Sequence, residues 1–94
     1  KTFPKHSYVP SAIFWQGQAY YKLKDYSRAA VLYDDVIRDY PKSSKYRSAM
    51  LKQAYSLHHL GKTKVAKILL KELVEKHAGS VEATQAENFL KKLK

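Results

Sequence analysis

Four histidines, an adjacent pair of aspartates and a scatter of serines are the side chains in this 94-residue sequence best suited to ligating a metal or activating a nucleophile. Their spacing argues against both. His58 and His59 are neighbours, and on a helix neighbours point about 100° apart, whereas a zinc site wants i,i+4 spacing or ligands converging from elsewhere. Asp34 and Asp35 diverge in the same way on a solvated helix face, so they do not meet over one substrate. The serines fall at caps and turns, where they serve structure. The glycines at 17, 61 and 79 are isolated and build no phosphate-cradling loop. No cysteine is present. The sequence is therefore read as a non-enzyme with no catalytic residue, cofactor, metal or small-molecule substrate.

Charge is the chemistry that remains. Eighteen Lys/Arg stand against eight Asp/Glu, for a net +10. Residues 1–40 hold six basic and four acidic side chains, and residues 41–94 hold twelve and four. Such an excess favours an acidic protein, anionic lipid headgroups or nucleic acid. The lysines are spread along several helices and the tail rather than on one stripe with interleaved aromatics, which disfavours nucleic acid. The plain alternative is a lysine-rich solvated surface.

The elements that must position these groups repeat. Comparing the sequence with itself at a shift of 37 residues gives eleven identities in 57 pairs, where chance gives roughly three or four. Pro4 meets Pro41, Lys5 meets Lys42, Ala12 meets Ala49, Gln16 meets Gln53, Leu23 meets Leu60, Ala29 meets Ala66 and Leu32 meets Leu69. A third copy starts with Ser43 on Ser80 and Ala49 on Ala86. Apolar residues within each unit follow helical spacing, not strand alternation. Helices are predicted over 8–23, 26–40, 44–60, 63–77 and 81–93. Pro41 stops the second because it lacks an N–H and clashes with the preceding turn. Ser43 or Ser44 is placed to cap the third, Gly61 to end it, and Ser80 to cap the last. Gly17, Ala29, Ala54 and Ala66 mark close helix approaches, and Trp15 is expected in the core. At 45% hydrophobic, the chain is too apolar for disorder, and no apolar run reaches the roughly 18 residues that would span a membrane.

These residues resemble the tetratricopeptide repeat (TPR). That signature places a small residue in the first helix, an aromatic three later, a small residue and an aromatic in the second helix, then proline. Gly17, Tyr20, Ala29, Tyr33 and Pro41 carry it here. The second copy has Ala54, Leu57, Gly61, Ala66 and Leu70, with Ala78 in place of the proline. The resemblance implies an all-α fold, a right-handed superhelix of antiparallel helix pairs: one domain over 1–94, with repeat units at about 8–43 and 44–79 and a capping helix at about 80–93. Phe3-Pro4-Lys5 matches Tyr40-Pro41-Lys42, which points to the tail of an earlier repeat and a fragment of a longer protein.

A narrower resemblance rests on Ala12-Ile13-Phe14-Trp15-Gln16-Gly17-Gln18-Ala19-Tyr20-Tyr21, on Tyr40-Pro41-Lys42-Ser43-Ser44-Lys45, and on the last helix. These are similar to the periplasmic Tol-Pal-associated cell division coordinators, the CpoB (YbgF) family, with Gln18 where that family usually has Glu. Barrel-assembly lipoproteins of the BamD family share the long unit and the Y-P-x-S turn. The first likeness implies a periplasmic scaffold in the cell envelope, a TolA-like or other envelope protein as partner, and homo-oligomers formed through an upstream coiled coil outside this chain. The positions that face the groove in the family map onto Phe14, Gln18, Tyr21, Lys22, Leu51, Lys52, Tyr55, His58, His59 and Asn88. Their aromatic and basic character suits an extended or helical acidic segment.

Overall fold

The computed structural model describes residues 8–93. The match of Phe3-Pro4-Lys5 to the end of the first repeat lies outside the described residues, as do His6 and Lys94. Five helices follow one another: α1 Tyr8–Lys22, α2 Tyr26–Asp39, α3 Tyr46–His59, α4 Thr63–Lys76 and α5 Val81–Lys92. Each packs on the next, and α5 also touches α3. Contacts chiefly between successive neighbours, within an outline of 44 × 29 × 17 Å, make an all-α solenoid. One row is formed by α1, α3 and α5, the other by α2 and α4. Among the described residues no helix is long and apolar enough to cross a membrane.

The turns explain the helix limits. Asp25 caps α2 by accepting a hydrogen bond from the Arg28 N–H at 3.3 Å. Ser80 caps α5, its Oγ accepting from the Ala83 N–H at 3.0 Å. The expected serine cap of α3 is corrected: the helix starts at Tyr46 with no side-chain cap. Ser43 Oγ instead accepts from the Lys45 N–H at 3.0 Å, so the serine closes the turn after Pro41 and the helix begins a few residues later.

α1 and α3 end alike. The Asp25 N–H donates to the Tyr20 carbonyl, and the Lys62 N–H to the Leu57 carbonyl, each reaching back around a residue in the left-handed region. In the second unit that residue is Gly61, at φ +84°, and in the first it is Lys24, at φ +64°. A side chain there is strained by about 1 kcal/mol. Lys24→Gly is therefore expected to raise stability by about 0.5–1 kcal/mol, measured by urea unfolding; a loss of stability would contradict this turn geometry.

The core lies between the two rows, in two clusters. Phe14, Ala29, Tyr33, Val36 and Ala49 form one. Met50, Leu51, Ala54, Ala66, Leu70, Leu73 and Ala86 form the other. Ile37 packs against both and makes the core continuous. Gly17 is where the first pair of helices comes closest. A Cβ built there would stand 2.8 Å from Tyr33 Cε1. Tyr33 is fully buried and donates its hydroxyl proton to Gln18 Oε1. Burial, and secondarily the neighbouring Tyr21, push the Tyr33 phenol far above its ordinary pKa, so it stays protonated.

Trp15 corrects another expectation. It is 57% exposed, because Phe14, one residue earlier and about 100° round the helix, takes the core position. Leu60 and Val65 are likewise exposed, although both are large and apolar.

The last helix is tied down electrostatically as well as by packing. Arg47 Nε lies 3.2 Å from Glu82 Oε1, and Ser48 Oγ donates to Glu82 Oε2 at 3.1 Å. Partial burial works against ionisation of Glu82, but its own backbone N–H, Arg47 and Ser48 together outweigh this and hold its carboxyl below the usual range. A depressed folded-state pKa means the stabilisation is present above the ordinary carboxylate pKa and is lost as pH falls through the lowered one.

Candidate partner-binding face

The row of α1, α3 and α5 carries an aromatic and basic ledge. At its centre is Lys52, with Nζ 5.2 Å from the ring centroid of Tyr21 and 5.6 Å from that of Tyr55. Ring faces are negative and attract a cation in this range. Burial lowers the Lys52 pKa, and among the described residues no carboxylate forms a salt bridge with it. A half-desolvated cation flanked by rings and lacking an anion is arranged to receive one.

Around Lys52 the rings interlock. Tyr26 stacks on His59 at 4.2 Å with planes 10° apart. Tyr21 stands edge-on to both, at 5.3 Å from Tyr26 and 6.1 Å from His59. Tyr55 meets Phe89 of α5 at 4.6 Å, and His58 meets it at 5.5 Å. His58 Nδ1 also lies 3.1 Å from Thr63 Oγ1. Tyr21 and Tyr55 have phenol pKa values raised chiefly by burial, so at neutral pH both keep a proton to donate. The face thus spans two units and the last helix, held by edge-on and stacked contacts worth about 0.5–1.5 kcal/mol each.

Of the ten positions expected here, Gln18, Tyr21, Lys52, Tyr55 and His58 are half-buried, and Lys22, His59 and Asn88 are exposed. Phe14 and Leu51 are corrected: each is only 4% exposed. They stand 37 residues apart and both point between the rows, Phe14 onto Tyr33 at 5.6 Å and Leu51 into the second cluster. Gln18 is partly committed to the core through Tyr33. Tyr26 and Phe89 were missed. Tyr26 has a signal in the repeat, because residues 21 and 26 correspond to His58 and Thr63, a pair that also touches. Trp15 and Lys45 form a smaller satellite, with Lys45 Nζ 5.1 Å from the Trp15 ring centroid and 5.3 Å from that of Phe14. Among the described residues no group of three or more His, Asp or Glu is placed to hold a metal ion.

The family model of the tetratricopeptide repeat matches residues 11–43 and 48–80. The chain belongs to the tetratricopeptide repeat family. Each matched segment takes in most of one helix pair, α1 with α2 and α3 with α4, and α5 follows as the helix that covers the second TPR unit. A TPR domain is a protein-interaction scaffold, and its stacked hairpins leave a continuous surface along one row of helices. No curated protein matches the sequence.

Proposed function

We propose that this TPR domain docks an acidic segment of a partner protein across Lys52, Tyr21, Tyr55, Tyr26 and His59. The observation that carries the reading is Lys52, partly desolvated between two tyrosine rings and without an anionic partner among the described residues. Lys22 and the exposed edge of His59 extend the surface, and Asn88 lies at its α5 end. Binding would add a carboxylate to Lys52 while the rings cover the apolar part of the ligand.

The wider setting we infer is the bacterial envelope. Likeness of residues 12–21 and 40–45 to the CpoB family supports a periplasmic, Tol-Pal-associated protein that coordinates cell division, peptidoglycan synthesis and outer-membrane constriction, with a TolA-like partner. The Y-P-x-S turn at Tyr40-Pro41-Lys42-Ser43 supports a second reading, the scaffold of another envelope assembly of the BamD kind, which an upstream lipobox cysteine would favour. A basic module on an anionic surface or nucleic acid is the remaining reading, and it requires binding that falls steeply with salt on generic polyanions.

The test is calorimetric titration with the soluble domain of a TolA-like protein, after crosslinking from envelope extracts has shown what the chain contacts. The double reversal Lys22→Glu with Lys52→Glu is expected to weaken binding at least about tenfold, equivalent to about 1.4 kcal/mol. Unchanged affinity rejects the face. Binding to a different envelope protein with the same loss keeps the face and rejects the partner.

A further inference from the structure

The second helices of the two units carry opposite charge. Residues 25–39, α2 with its cap, hold four acidic and two basic side chains. The corresponding residues 62–76, α4 with its cap, hold two acidic and five basic ones. Where the first unit has Asp25, Ser27, Ala30 and Asp34, the second has Lys62, Lys64, Lys67 and Lys71. The acids of α2 are engaged: Asp34, Asp35 and Asp39 all pair with Arg38, and Asp25 pairs with Arg28. On α4 Lys76 meets Glu72 at 3.9 Å, but among the described residues Lys62, Lys64, Lys67 and Lys71 form no salt bridge.

These lysines surround apolar surface. Ala66, Leu70 and Leu73 turn the inner side of α4 to the core. Lys64, Lys67, Ile68 and Lys71 follow i, i+3, i+4, i+7 spacing and share its outer side. Ile68 is 64% exposed in their midst, and Val65, one turn before it, is 48% exposed. Helix α4 has no aromatic residue and no arginine. Protein interfaces favour both and are poor in lysine, and single-stranded nucleic acid is held on stacked aromatics. Aliphatic side chains among lysines, whose stems lie along apolar surface while the ammonium groups reach out, suit a helix lying in a membrane interface. We propose that the outer face of α4 docks on a bilayer surface rich in anionic phospholipid. Ile68 and Val65 enter the headgroup region, and Lys64, Lys67 and Lys71 meet lipid phosphates. The Lys52 ledge belongs to the other row of helices, so docking through α4 leaves it open to solvent, and neither site depends on the other.

Cosedimentation with vesicles tests this. The chain is expected to bind vesicles of about one-third phosphatidylglycerol in phosphatidylcholine and not pure phosphatidylcholine. Lys64→Glu with Lys71→Glu should lower the partition coefficient at least about tenfold. Ile68→Ser, which changes no charge, should lower it at least about threefold. All three positions are exposed, so melting midpoints should stay within about 1 °C. The native chain gives a second reading through its single tryptophan. Trp15 is exposed on α1, in the other row, and its emission should not shift when vesicles bind. A blue shift of Trp15, or an equal loss of binding with Lys22→Glu plus Lys52→Glu, places the lipid on the ledge and overturns the proposal. So does absence of binding to the anionic vesicles at about 0.15 M salt. Binding to polyglutamate or duplex DNA as tight as to vesicles, and indifferent to Ile68→Ser, assigns the lysines to a soluble polyanion and likewise overturns it.

Discussion

Tyr33→Ala is expected to lower the stability of the domain by about 3–5 kcal/mol, the range for deleting a large buried aromatic. Tyr33 has no exposed surface, its ring lies on Gly17 and beside Phe14, and its hydroxyl engages Gln18. Truncation removes all of these and leaves a cavity that helices pinned on both sides are slow to fill. Domains of this size are stable by about 5–15 kcal/mol, so the melting midpoint should fall by well over 10 °C. Tyr33→Phe keeps the ring and should cost only about 1 kcal/mol for the lost hydrogen bond. Urea unfolding of the two variants checks both figures. A loss under about 1.5 kcal/mol for the alanine variant would mean that the ring is not the centre of the first cluster.

Gly17→Ala is expected to change sign with its neighbour. In the native chain the new methyl would sit 2.8 Å from a ring carbon of Tyr33. That ring is buried on every side and held at its hydroxyl, so it cannot swing away. Overpacking costs about 1–3 kcal/mol, and the better helix propensity of alanine returns about 1 kcal/mol, which leaves a net loss of about 1–2 kcal/mol. The second unit shows the alternative solution. Ala54 and Leu70 occupy the positions of Gly17 and Tyr33, both without exposed surface and in one cluster. A larger residue on one helix is matched by a smaller one on the other. In a Tyr33→Leu background, then, Gly17→Ala should be neutral or stabilising by up to about 1 kcal/mol. The double-mutant cycle should show a coupling of at least about 1 kcal/mol, and additive effects would refute the pairing.

The period of 37 made the helices legible, since a face that recurs with helical spacing needs only a turn signal to bound it. Pro41, Gly61 and Ser80 act as read. Ser43 does not, because its hydroxyl satisfies an amide within the turn instead of at the helix start. The candidate partner-binding face was less legible. Phe14 and Trp15 are adjacent and both aromatic, and composition alone cannot say which of the two turns inward. Packing against Tyr33 decides it, and that contact is 19 residues away in sequence. Tyr26 and Phe89 were overlooked for a related reason: they belong to α2 and α5, and only the stacking of hairpins brings them beside His59 and Tyr55.

The ledge around Lys52 has a mechanical consequence. Its rings are anchored on α1, α2, α3 and α5, and these helices are joined through successive neighbours and the α3–α5 contact, so that among the described residues the array stays open at its ends. Flexing such a spring alters the gap between the Tyr21 and Tyr55 rings on either side of the Lys52 ammonium. A ligand that favours one spacing must, by reciprocity of coupled equilibria, favour one curvature. Tension or compression applied to the array would accordingly tune its grip on that ligand.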